Sequence, residues 1–206
     1  MLIDPIPDPI AAGWTKEGEE PHFPSSTSLR INDTSNAGFA RFYAEDPAAF
    51  TGEIELNPIV LLSGYSVAPD TGVHVTINDG DYEIRAALLV TPGGGLRVAL
   101  RTPTDYSTGF AFPTTYAAFQ LKRLADGSAL LAVAGQAPEI VPRLALAGSG
   151  RPGLQTIEFG ADNRGGVAAA DWYTLGLPPL PRQTPFASLA VDRLQLRIRA
   201  EAAPTR

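Results

Sequence analysis

Cysteine is absent from the 206 residues, which excludes thiolate zinc sites, thiol catalysis and a disulfide framework. Lysine is almost absent as well. Of the 16 basic residues only Lys16 and Lys122 are lysines, and the arginines are scattered rather than clustered. With a net charge of −6 and no basic stripe, the chain lacks the phosphate-neutralising surface that nucleic-acid binding needs. No apolar run approaches the roughly 20 residues that span a bilayer. The two histidines, His22 and His74, are far apart, which disfavours a histidine-rich metal centre. Met1 to Pro9 holds two acids, three prolines and no basic residue, the reverse of a secretory leader. A cytoplasmic location, export by another route and prior removal of a leader all remain open.

Turn formers and apolar residues are plentiful. The 20 glycines and 19 prolines exceed the usual combined share of about 12%, and they punctuate the whole chain. Apolar residues make up 44%, enough for a packed core without a metal or disulfide.

Between the turns, period-two alternation dominates and helical periodicity is lacking. Ser28–Asn32 and Gly38–Tyr43 read as early strands. Gly52–Val60 reads as one strand, with Ile54 and Leu56 on one face and Glu53, Glu55 and Asn57 on the other. Val73–Ile77 and Tyr82–Val90 flank Asn78-Asp79-Gly80-Asp81, a strong hairpin signal. Leu96–Arg101 alternates cleanly. Tyr116–Leu124 and Ala129–Ala134 form a second hairpin around Asp126-Gly127, and Leu154–Gly160 with Ala170–Leu177 a further strand pair. Pro178–Pro185 precedes a last strand within Leu189–Arg199. About a dozen short strands joined by tight turns predict an all-β, two-sheet antiparallel jelly-roll sandwich. The 21 residues beyond Pro185 are too few to fold alone. Residues 1–206 are therefore expected to form one domain, with its core over 10–177 and its C-terminal strand over 187–199.

The order of the central segments resembles the concanavalin A-like lectin/glucanase superfamily, including laminin G-like modules. Trp14 opens the domain and Gly52-Glu-Ile-Glu-Leu56 follows on an early strand. After them come Val73-His-Val-Thr-Ile-Asn-Asp-Gly80, Phe119-Gln-Leu-Lys-Arg-Leu-Ala-Asp-Gly-Ser128, Ile157-Glu-Phe-Gly160 and Ala170-Asp-Trp-Tyr173. The resemblance covers about residues 10–177 and implies two curved sheets whose concave face is the common binding surface. It also implies an extracellular, virion or cell-surface setting. Its members include lectins, hydrolases, lyases, adhesion modules and virion proteins, so the fold leaves function open.

Glu53 and Glu55 are the candidate catalytic carboxylates. Retaining glycosidases use two carboxyls about 5–5.5 Å apart, and laminarinase-type members of the superfamily carry a Glu-x-Asp-x-Glu strand. Here Asn57 stands where the second glutamate would be, and an amide cannot donate the proton. The same three residues also suit a solvated polar strand face. Asp171 has two open roles: the resemblance implies a structural calcium there, with Asp4, Asp8, Glu17, Glu19 and Glu20 as neighbours, and a strand-start aspartate that closes a turn serves equally. His74, on the polar face of its strand, is a candidate ligand contact, ordinary surface exposure being the alternative. Gly93-Gly94-Gly95 and Gly165-Gly166 lack a following Lys-Ser/Thr and read as turns. The segment Tyr106–Tyr116 is the most exposed-looking aromatic cluster, and Tyr65 and Phe112 also lie in loop-like sequence.

These features favour a non-catalytic binding module for a glycan or another surface ligand, using Glu53, Glu55, Asn57, His74, Tyr106, Phe110 and Tyr116 on the concave face. The alternatives are a structural or assembly protein that docks to copies of itself or to a larger shell, and a glycoside hydrolase or polysaccharide lyase.

Overall fold

The computed structural model describes residues 4–33, 39–45, 50, 52–65, 72–90, 95–112, 116–162 and 168–177. The chain forms β1 Thr15–Glu17, β2 His22–Pro24, β3 Leu29–Asp33, β4 Phe39–Glu45, β5 Ile54–Leu56 and β6 Ile59–Tyr65. It continues with β7 Gly72–Asp79, β8 Tyr82–Val90, β9 Leu96–Leu100, β10 Phe110–Phe112, β11 Tyr116–Ala118 and β12 Gln120–Arg123. The remaining strands are β13 Ala129–Ala132, β14 Glu139–Val141, β15 Ala147–Gly148, β16 Gln155–Asp162 and β17 Ala168–Thr174. No α-helix occurs among the described residues, where a 3-10 turn spans Arg143–Ala145. The last strand expected over 187–199 lies outside the described residues, as do Gly93-Gly94 and Gly165-Gly166.

Three antiparallel sheets result. The eight-stranded one runs β1-β4-β16-β7-β8-β9-β10, with β15 added to β8. The five-stranded sheet runs β11-β6-β17-β3-β2 and the four-stranded one β14-β13-β12-β5. The two smaller sheets are joined through one strand pair. β5 leads through Asn57-Pro58 into β6, while its partner β12 is reached from β11 through Phe119. They form one bent layer opposite the eight-stranded sheet, and the protein is an all-β jelly-roll sandwich.

Two segments expected to be continuous strands are therefore broken. Proline has no N–H for the ladder, so at Pro58 the strand read over 52–60 changes sheets, and the strand read over 116–124 breaks opposite it at Phe119. The expected pairing of 154–160 with 170–177 is also corrected. β16 pairs with β4 and β7, whereas β17 pairs with β3 and β6 in the facing layer. Alternation identifies a strand but not its partner. The two hairpins are as expected, with Gly80 (φ +97°) and Gly127 (φ +83°) supplying the left-handed backbone of their turns.

One core cluster draws side chains from all three sheets. At its centre the Phe159 ring meets Trp14 (5.6 Å, edge-on), Phe42 (5.5 Å, stacked) and Trp172 (5.1 Å, edge-on). These rings join strands β16, β4 and β17 across the sandwich. Phe159→Ala is expected to cost about 3–5 kcal/mol through lost burial and the cavity left behind; urea unfolding of the variant measures it.

Candidate functional site

Alternation sorts the two surfaces of the eight-stranded sheet. Val73, Val75 and Ile77 of β7, Ile157 and Phe159 of β16, and Ile84 and Ala86 of β8 enter the core. Their neighbours therefore occupy the outer face. Register places Tyr43, Glu158, Thr76 and Arg85 in one row across β4, β16, β7 and β8. Arg41, Gly160, His74, Ala87 and Ala99 form the next row, and Thr156, Asn78 and Glu83 the one on the other side. Polar side chains on an outer face are normally wet. Here His74, Thr76, Asn78, Glu83, Thr156 and Glu158 are all buried.

Buried polar groups need partners. Glu158 Oε1 accepts from Asn78 Nδ2 (2.6 Å), Thr156 Oγ1 (2.9 Å) and Arg151 Nε (2.6 Å). Arg151 reaches the sheet from the segment after β15 and also donates to both carboxylate oxygens of Glu17 on β1. Its guanidinium carbon lies 4.3 Å from the centre of the Tyr43 ring. Arg41 donates to the same Glu17 at 2.8 Å. Burial opposes the Arg151 charge, but Glu17 and Glu158 more than offset this and hold its pKa above the ordinary arginine value. The Arg151 hydrogen bond, helped by Arg41 against a smaller effect of burial, lowers that of Glu17. On the other flank Glu83 is shared by Arg85 (3.4 Å) and Arg101 (3.3 Å). Tyr106 forms an isolated bridge opposite Arg101, which puts it at the rim of the same face.

The residues singled out from the sequence do not converge. His74 and Tyr106 belong to the eight-stranded sheet's outer face, and His74, flanked across the strands by Gly160 and Ala87, is buried rather than at an exposed polar surface. Glu53, Glu55 and Asn57 do alternate with the buried Ile54 and Leu56, as expected, but on the opposite layer of the sandwich. Lys122, opposite Glu55 in register, lies 2.6 Å from Glu53 and 4.0 Å from Glu55, and Asn57 Nδ2 donates to Glu55 at 3.1 Å. The hydrogen bond to Glu53 raises the Lys122 pKa.

Phe110 is a core residue of β10, paired with Val98, not part of an exposed loop cluster. Tyr116 is exposed, but on β11 of the other layer. Asp171 lies within β17 rather than at the start of a strand. Both its oxygens accept from Arg30 across the strand pair, at 2.7 and 2.8 Å. Asp4 does approach the end of β17, where its carboxylate accepts from Thr174 Oγ1 and from the amides of Leu175 and Gly176. No group of three or more His, Cys, Asp or Glu among the described residues is placed to hold a metal ion.

The outer face of the five-stranded sheet carries a different chemistry. Phe23, Arg30, Asp171, Leu61 and Tyr116 form one row across its five strands. Phe23 and Tyr116 stand exposed at its two ends and Tyr173 on β17 is exposed as well. Where this sheet bends into the four-stranded one, a cleft of about 420 Å³ is lined by Asn57, Pro58, Phe119, Gln120 and Val133, among others.

No family model and no curated protein matches the chain. Among solved structures it is similar to a conserved carbohydrate esterase from Shiga toxin-encoding bacteriophage phi24B. The TM-score is 0.53 and the identity 8%, over 81% of this chain and 92% of that one. The cellulose-induced protein Cip1 follows at a TM-score of 0.49 and 14% identity, over 78% of this chain and 88% of that one. For the receptor-binding domain of botulinum neurotoxin D the values are 0.45 and 11%, over 89% of this chain and 49% of that one. The likeness to the phage protein bears on the fold alone.

Two outcomes follow from the arginine network. Arg151→Leu leaves Glu158 buried without its cation and is expected to cost about 3–5 kcal/mol, measurable by urea unfolding. The Glu17 pKa is lowered by folding, so its stabilisation is complete above the ordinary value of 4.5 and is lost as pH falls below it. The stability difference between the wild type and Glu17→Gln should therefore be largest at neutral pH and shrink below pH 4.5 in a pH series of unfolding curves.

Proposed function

We propose that this chain is a single-domain carbohydrate-binding module of concanavalin A-like type, whose site is the outer face of the eight-stranded sheet. The observation that carries the proposal is the tract of polar side chains from Tyr43 to Arg101, held in fixed geometry by ion pairs and reaching solvent at Arg101. A sugar presents hydroxyls in fixed directions, and donors and acceptors locked in advance bind it without a further ordering cost. Rigid strands hold such groups better than loops do. That the phage protein of similar fold is named a carbohydrate esterase agrees with this reading.

The exposed row from Phe23 to Tyr116 supports a second reading, an assembly protein that docks through its five-stranded sheet. A glycan array separates the two. Specific binding is expected for the wild type, with an affinity loss of about tenfold in Arg101→Gln, the size of one charge-assisted hydrogen bond. Glu53→Ala, on the opposite layer, should bind as the wild type does. A flat array from folded protein overturns the glycan reading; a self-associated species in light scattering that Tyr116→Ser disperses favours the assembly.

A further inference from the structure

The outer face of the five-stranded sheet carries exposed rings at regular intervals. The strand order β11-β6-β17-β3-β2 puts Tyr116 on β11, Tyr173 on β17 and Phe23 on β2, one on every second strand. Neighbouring strands lie about 4.8 Å apart, so successive rings stand on strands about 9.6 Å apart. Phe23 and Tyr116 share one row with Arg30, Asp171 and Leu61. Tyr173 lies two residues beyond Asp171, on the same side of β17, and flanks that row. Phe23 is 54% exposed, Tyr116 46% and Tyr173 40%. One exposed aromatic is ordinary, but several along one strip form a binding patch.

The strip continues into the cleft at the bend of the layer. Leu61 pairs with Tyr116 and Ile59 with Ala118, and Ile59 and Ala118 line that cleft of about 420 Å³. Pro58 and Phe119 add apolar surface there, while Asn57 and Gln120 bring amide groups. Apolar surface with a few hydrogen-bonding groups suits a sugar, whose ring presents C–H faces and hydroxyl edges. Charge narrows the class. Arg30 and Asp171, within the row, neutralise each other at 2.7 Å, so the row offers no net charge to an ionic ligand. Size argues against a second copy of the protein. β2 and β11 are three residues long, and the strip shared by all five strands measures roughly 19 by 10 Å. That is about a quarter of the ~800 Å² per partner in a stable interface.

We infer that this strip is a second glycan site, one for an extended, uncharged β-1,4-linked polysaccharide that runs across the strands and stacks on Phe23, Tyr173 and Tyr116. One disaccharide repeat of such a polymer is close in length to the two-strand interval, so sugar rings of like orientation meet the aromatics in turn. From edge to edge the strip accommodates roughly four sugar rings. The site lies on the layer opposite the eight-stranded sheet and stands independently of the reading of that sheet.

Depletion of the full chain by microcrystalline cellulose, with titration of cello-oligosaccharides and amylose, tests this. Affinity is expected to rise from cellobiose to cellotetraose and then level off. Tyr116→Ala and Tyr173→Ala should each weaken binding about tenfold, the size of one aromatic stacking contact. Both side chains are exposed, so the thermal midpoint should change little, and Tyr116→Phe, which keeps the ring, should keep binding. No binding to cellulose or cello-oligosaccharides, or binding that survives both alanine substitutions, overturns the inference and leaves the reading of the eight-stranded sheet intact. Cellulose binding abolished by Arg101→Gln but kept in Tyr116→Ala overturns it too, by moving the polymer to the eight-stranded sheet. Amylose, a coiled α-1,4 polymer of the same sugar, binding equally well overturns the assignment to an extended polymer. A self-associated species in light scattering that Tyr173→Ala disperses overturns it in favour of a second copy on the strip.

Discussion

A carboxylate withdrawn from water has to be met by donors, and much of the eight-stranded sheet is arranged around that requirement at Glu158. Asn78 comes from β7, Thr156 from β16 itself and Arg151 from the segment following β15, all to one oxygen. Arg151 carries the constraint onward to Glu17 on β1 and to the ring of Tyr43 on β4. One buried charge thereby orders three neighbouring strands, the edge strand and a crossing segment. Each link is a charge-assisted bond in a poorly hydrated setting, where such bonds are strong and their loss is costly.

The hydrophobic core makes that arrangement affordable. Phe159, next to Glu158 in the chain, points the other way into the ring cluster with Trp14, Phe42 and Trp172. Strand alternation thus places the densest apolar packing and the densest polar network back to back on β16. The two faces of one strand are coupled: packing that fixes Phe159 also fixes the direction of the Glu158 carboxylate. A rigid polar face needs that kind of backing.

The bent layer opposite is organised differently. Pro58 and Phe119 break one strand pair into two, and a cleft opens at the break. Its outer surface carries single ion pairs, Arg30 with Asp171 and Lys122 with Glu53, of which only the Asp171 side chain is well buried. Exposed pairs of this kind contribute little stability. Glu53 and Glu55 read from the sequence as a catalytic pair are, in place, two carboxylates beside one ammonium.

Local pattern by itself indicated most of the longer strands, the two hairpins and which of those strands' residues enter the core, because period-two alternation and glycine turns are properties of adjacent residues. It exposed Ile54 and Leu56 as inward and Glu53 and Glu55 as outward, which the packing respects. Strands β1, β2, β10, β14 and β15, of two or three residues each, were too short to show any period. Partnership was decided only in three dimensions. Nothing near Asp171 in sequence announces Arg30, 141 residues away, and nothing near Glu17 announces Arg151, 134 residues away. The outer polar face has the same origin: Tyr43, Thr76, Arg85, Arg101 and Glu158 form no motif along the chain. They meet because antiparallel register sets strands remote in sequence about 4.8 Å apart, so a face is read across strands, whereas a sequence is read along one.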